Sequence, residues 1–323
     1  MIDTDLELEN HINCHFLIGN CSPIILNEEH GYFTDIDEIV DYFVKLVSQQ
    51  IEDTFRDKIS TTVPYNGKIN IRNCFFNEYK LNVTFKKSKE NSIKGGTKTS
   101  SIFQDENGNW VCIPDINLTI ETNNITSAVE KFSFSMGHEL THCYNLLQYA
   151  LKNDKDPWYS IDRNRYFTIR NNVNFGIGNV SALANILYTL NRMERNAYIA
   201  QLKQELLTKK NLIKDNKTAF DLIKNTESYK KFLYLEQQVN VIFTIIDEDV
   251  QKDLIDTLNN IMNTHFTTFK QLKKYFLIRW LKWKKAYFKN ASKIAYDIFS
   301  STNNSKWLDW GLIDNKSPMI KPN

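Results

Sequence analysis

The hydrophobic positions of this chain change period twice. From 35 to 59, Ile39, Tyr42, Phe43, Leu46, Val47, Ile51 and Phe55 recur at three- and four-residue spacings behind an acidic start, Asp35-Ile36-Asp37-Glu38. That predicts an amphipathic helix whose positive end meets those carboxylates. Between Tyr79 and Glu121 the period falls to two, in Leu81-Val83-Phe85, Ser101 to Gln104, Trp110 to Ile113 and Ile116-Leu118-Ile120, and four strands are expected. Asp105-Glu106-Asn107-Gly108-Asn109 carries an Asn-Gly turn that joins the second and third strands as a hairpin, and Lys94-Gly95-Gly96-Thr97 reads as another turn. From Ser127 the helical period returns and stays. Helices are predicted over 127–151, 180–208, 218–245, 248–264 and 266–299, with a loop of mixed polar and aromatic residues from Asp154 to Asn179. The expected fold class is α+β, a small sheet followed by an all-helical C-terminal region.

The 127–151 helix carries the chemistry. Ser127 and Glu130 read as a capping box at its start, and Val129, Phe132, Met136, Leu140, Cys143, Leu147 and Ala150 follow as a buried stripe. Along another line lie Ser135, His138, His142, Asn145 and Tyr149, and Gly137 lets a neighbouring backbone approach closely. Within this stretch, His138-Glu139-Leu140-Thr141-His142 places two imidazoles one turn apart, converging on one point, with Glu139 to the side. Neutral imidazole nitrogens can ligate a metal that keeps a position open for water, and the carboxylate can take that water's proton as it attacks a carbonyl.

The order of helix, small sheet, motif helix and further helices resembles the zincin metallopeptidases over residues 35 to 206. In that superfamily an edge strand beside the motif helix pairs with an extended substrate, and residues 115 to 121 are the expected counterpart here. The metzincin extension is absent, since Cys143, Tyr144, Asn145, Leu146, Leu147 and Gln148 follow His142. Glu194, in Asn191-Arg192-Met193-Glu194-Arg195-Asn196-Ala197-Tyr198, looks like the third ligand of the gluzincin arrangement, with Asp154, Asp156 and Asp162 as alternatives. The small Ala197, one turn on, allows close approach of the two helices.

The resemblance implies Zn2+ held by His138, His142 and Glu194, Glu139 as general base, and hydrolysis of peptide or protein substrates by an endopeptidase. Tyr166, Tyr198 and His265 are the candidates for stabilising the transition state. One departure is that Tyr198 stands where gluzincins often carry an aspartate that orients a histidine, so Asn191 or a backbone carbonyl is expected to do so. The implied organisation is an N-terminal extension over 1–34, a zincin-like catalytic core over 35–206 and a helical region over 207–323. A reading from another class is a zincin-like structural or interaction protein of a larger assembly, with little or no peptidase activity.

Composition narrows the partners. The 323 residues, 42% hydrophobic and 13% aromatic, suffice for one large or two ordinary packed domains, and a formal charge of +2 gives no field that argues for nucleic acid or membrane. Five scattered cysteines read as free thiols rather than a disulfide framework. His11, Cys14, His15 and Cys21 match no zinc-site spacing and read as fortuitous. In the last helix, lysines surround Phe269, Phe276, Trp280, Trp283 and Tyr287, the pattern of a core-facing stripe with a solvated basic face open to a protein partner. The acidic N-terminus lacks the form of a secretory signal and no segment is long and apolar enough to span a bilayer, so a cytoplasmic location is expected.

Overall fold

The computed structural model describes residues 4–18, 30–57, 60–69, 76, 78–97, 102–153, 179–243 and 264–302, with 251, 252, 255, 256 and 258–260. Two helices come first, α1 (Thr4–Ile18) and α2 (His30–Asp57). Six strands follow: β1 (Thr61–Lys68), β2 (Glu78–Lys87), β3 (Ser92–Thr97), β4 (Ile102–Gln104), β5 (Trp110–Cys112) and β6 (Asp115–Thr122). The motif helix is α3 (Ile125–Asn153); after it come α4 (Asn179–Thr189), α5 (Arg192–Leu207), α6 (Asn216–Lys224), α7 (Glu227–Ile242) and α8 (Phe269–Thr302). The protein is therefore α+β, with a small mixed sheet and a helical C-terminal region.

The main sheet has the order β1-β2-β6-β3, with β2 and β6 parallel and both outer pairs antiparallel. Leu81, Val83 and Phe85 of β2 lie opposite Ile116, Leu118 and Ile120 of β6, and this row is buried with Phe43 and Val47 of α2 and Phe132, Met136 and Leu140 of α3. This order corrects the expectation for residues 115–121. As β6 they are interior, hydrogen-bonded on both sides, so their backbone has no edge to offer a peptide.

The edge strand on that side is β3, and it includes Lys94-Gly95-Gly96-Thr97, which reads as a turn from sequence. Two adjacent glycines carry no period-two signal, and the strand exists because its backbone pairs with β6 from Ser92 opposite Glu121 to Thr97 opposite Ile116. β1 was also invisible in the pattern, because Pro64, Asn66 and Gly67 are poor strand formers that an edge strand tolerates. The β4–β5 hairpin forms as expected: Asp105 Oδ1 accepts from the backbone N–H groups of Asn107 and Asn109, and Gly108 takes φ 79°.

Helix boundaries moved where caps intervene. α3 begins at Ile125, two residues before the predicted capping box, because Asn124 Oδ1 accepts the Ser127 N–H at 2.8 Å while the Ser127 hydroxyl bonds Thr122. The predicted 180–208 helix is broken by Asn191, which caps α5 by accepting from Met193 N. The 218–245 helix breaks at Thr226, which caps α7 by accepting from Tyr229 N. The predicted 154–179 loop, apart from Asn179, lies outside the described residues.

A second core unites the helical half. Leu183, Leu202, Phe232, Phe276, Trp280, Tyr287 and Phe288 are buried together, and α1 joins them through Leu8 and Ile12. The aromatic stripe of α8 is thus core, as its spacing predicts, and the one buried lysine of that helix, Lys284, pairs with Glu7 of α1 and Glu236 of α7 at 3.1 and 2.9 Å. No helix among the described residues is long and apolar enough to cross a membrane.

Glu205 completes the start of α7 by accepting the backbone N–H groups of Glu227 and Ser228. Burial pushes its carboxyl up to about 7, against the bonds it accepts from Gln201, Ser228 and Glu227. A raised acid keeps its proton in the folded chain while the unfolded chain releases it, so this group lowers stability as pH climbs from about 4.5 to about 7. Glu205→Gln is expected to flatten that part of the pH profile, read from urea unfolding at about pH 5 and about pH 8. A slope unchanged by the substitution would count against it.

Candidate metal centre

α3 and α5 pack closely because residues at their contact are small. A Cβ on Gly137 would stand 2.6 Å from Cγ of Gln204, which is itself tied to Asp37, and Ala197 is fully buried. This approach brings Glu194, in the first turn of α5, against the two imidazoles of α3. His138 Nε2 and His142 Nε2 are 3.2 Å apart, His142 Nε2 is 3.2 Å from Glu194 Oε1, and His138 Nε2 is 3.7 Å from Glu194 Oε2. Ligands about 2.0–2.2 Å from a tetrahedral ion stand about 3.3–3.6 Å from one another. The three side chains therefore already span three corners of such a shell. Among the described residues, they are the one group of three His, Cys, Asp or Glu side chains placed to hold a metal ion.

The electrostatics match that donor set. Burial, and then the neighbouring His142, lower the pKa of His138, which favours the neutral imidazole a metal requires. Burial alone would raise Glu194, but the adjacent imidazoles, His142 foremost, outweigh it and hold the carboxyl at about 2. Glu194 is thus an anion with 1% of its surface exposed. An anion so buried needs cationic or hydrogen-bonding compensation; His142 and the Tyr188 side chain supply part of it, and a dication between the imidazoles would add to it.

Glu139 stands apart from the ligand group and faces the cleft. Its Oε2 accepts a 2.7 Å hydrogen bond from the Thr97 hydroxyl at the end of β3. The cleft, about 190 Å³ at this point, is lined by Gly95, Gly96 and Thr97 on one side and by His138, Glu139, His142, Glu194 and Tyr198 on the other. Gly95 lets β3 lie against β6 here, since a Cβ there would stand 2.4 Å from Leu118 Cδ2 and 3.0 Å from the Asn117 carbonyl.

Of the three candidate stabilising residues, Tyr198 lines this cleft, its ring edge-on to His138 with centroids 5.2 Å apart. Burial first, then Glu194 and Glu139, push its phenol well above the ordinary value, so it stays a hydrogen-bond donor. His265 is exposed ahead of α8 and lines neither cavity beside the motif. Tyr166, like the alternative ligands Asp154, Asp156 and Asp162, lies outside the described residues.

Other positioning groups were not legible from sequence. Tyr188 of α4 hydrogen-bonds Glu194, and Gln201 sits beside His138. Asn191, expected to orient a histidine, instead spends its side chain on the α5 cap. Of the second cluster, His11 lies tilted against Phe288, with ring centroids 6.0 Å apart, and Cys14, like Cys112 and Cys143, is in no disulfide; Cys21 and the side chain of His15 lie outside the described residues. Comparison with known proteins finds no matching family, no matching curated protein and no matching solved structure.

Proposed function

We propose that the protein is a zinc-dependent endopeptidase of gluzincin type, built on a zincin-like core. The observation that carries this reading is the convergence of His138, His142 and Glu194 beside a carboxylate, Glu139, that is not part of the ligand group. Zn2+, when bound, supplies a Lewis acid that acidifies water and polarises a carbonyl. Two neutral imidazoles and one carboxylate are the donor set of known catalytic zinc sites, and they leave one position open.

The chain's own groups then have distinct tasks. An extended peptide has an edge to pair with in β3, whose outer side is unpaired by any described strand. Glu139, held by Thr97 from that same strand, accepts the proton of the attacking water and returns it to the leaving amine. Tyr198 donates its phenolic hydrogen to the carbonyl oxygen as charge develops there.

Tyr198→Phe keeps the ring against His138 and removes that donor. It is expected to lower kcat about 100-fold with KM and zinc content little changed, measured by steady-state hydrolysis and metal analysis. The reading as a whole is tested by incubating zinc-replete protein with an unfolded protein substrate, with and without a zinc chelator, and identifying fragments by mass spectrometry. Chelator-sensitive cleavage is the expected result. Stoichiometric zinc with no cleavage would favour the scaffold reading instead.

A further inference from the structure

Toward the first half of α3, the cleft opens into a second cavity of about 330 Å³, bounded by Ile93 and Gly95 of β3 and reached by Lys131, Gln201 and Lys231 from three different helices. It is continuous with the catalytic end, since Gly95, His138, Glu139 and Tyr198 line both. Lys131 and Ser135 follow the same face of α3 that carries His138. Lys131 is only 6% exposed, yet among the described residues it forms no ion pair and no hydrogen bond. Lys231, half-buried on α7, lies over the Tyr234 ring at 5.4 Å and likewise has no ion pair among them.

The carboxylates nearby are already engaged. Glu227, which also borders the cavity, pairs with Lys230 at 2.9 Å, and Glu205 accepts the α7 backbone N–H groups and the Gln201 amide. Burial lowers the pKa of both lysines, against the pull of Glu227, Glu205 and Glu130 on Lys131 and of Glu194 on Lys231, and among the described residues no carboxylate is in ion-pair contact with either. A partly buried cation that no carboxylate touches is costly, and an anion bound in contact with it lowers that cost. Among the described residues, the opposite end of the cleft has no lysine, and Leu146, Tyr188 and Met193 line it beside His142 and Glu194.

We propose that this second cavity is a substrate subsite for an anionic side chain, a carboxylate or a phosphate, taken up by Lys131 and Lys231 next to Glu139. The peptidase reading supplies only the assumption that the ligand is a peptide. A single charge-assisted contact predicts about tenfold discrimination between a charged side chain and its neutral isostere.

The test uses full-length, zinc-loaded Glu139→Gln protein and short fluorescent peptides of an Ala/Ser background, carrying Glu, phosphoserine or Gln at each position in turn. At one position the Glu or phosphoserine peptide should bind about tenfold more tightly than the Gln peptide, and the stronger of the two identifies the anion. Lys131→Met and Lys231→Met should each erase that preference. Lys231→Glu, at a half-buried position, should transfer it to a Lys-bearing peptide, which no misfolded variant can do. Equal binding of all three peptides at every position overturns the proposal. Binding is read on Glu139→Gln and cleavage on the wild type, so discrimination by the variant with no cleavage by the wild type keeps the subsite and loses the peptidase reading, while cleavage by the wild type without discrimination by the variant does the reverse.

Discussion

Glu194→Ala is expected to weaken zinc binding more than about 100-fold, since partners that merely support a ligand already cost about 10- to 100-fold when removed. The carboxylate is one of three groups spaced 3.2, 3.2 and 3.7 Å apart, and it supplies the only negative charge among them. Without it, a dication would meet two neutral imidazoles in a buried site, and its desolvation would go uncompensated. Competition with a chromophoric chelator measures the affinity, and elemental analysis the stoichiometry.

A linked effect follows in stability. A ligand held at about 1,000 times its Kd stabilises the fold by about 4 kcal/mol, so chelation should lower the melting temperature of the wild type and leave that of Glu194→Ala nearly unmoved. Wild-type affinity in Glu194→Ala would falsify the assignment and move the third ligand to a residue outside those described, with Asp154, Asp156 and Asp162 the first to substitute.

The second large effect is Glu139→Gln, which should reduce kcat by about 10²- to 10⁴-fold with zinc content unchanged. Glutamine has the size of glutamate and keeps an oxygen to accept the Thr97 hydroxyl, so the strand-to-helix contact survives. What it lacks is a basic oxygen to take a proton. The pairing with Glu194→Ala makes the two roles separable: one variant binds zinc and does not turn over, the other does neither. If Glu139→Gln released the metal as Glu194→Ala does, Glu139 would be a ligand and the general base would have to be another group. Unimpaired hydrolysis in Glu139→Gln would exclude it as the base altogether.

How much of this was legible before folding differs from residue to residue. His138, Glu139 and His142 are read directly, because spacing within one helix fixes their relative direction. Glu194 lies 52 positions beyond His142; its sequence context marks it, but only the packing of α5 on α3 across Gly137 and Ala197 brings its carboxylate to the imidazoles. Thr97 gives no signal at all. Its segment reads as a turn, and its meeting with Glu139 depends on β3 adding to β6 at the sheet edge. Lys131 is one charged position of the motif helix in sequence, and only the fold sets it in a cavity that Ile93 of β3 and Lys231 of α7 also line.

By itself, then, the sequence determined what local periodicity and helix geometry control: the α+β class, the motif helix with its buried stripe, the β4–β5 hairpin and the core-facing aromatics of α8. Tertiary structure decided the strand order, which strand is left as an edge, the third member of the ligand group and the charge of the neighbouring cavity. The physical reason is range. A helix fixes residues three or four apart through its own hydrogen bonds, whereas strand pairing and helix packing join groups separated by tens of residues through contacts that no local pattern encodes.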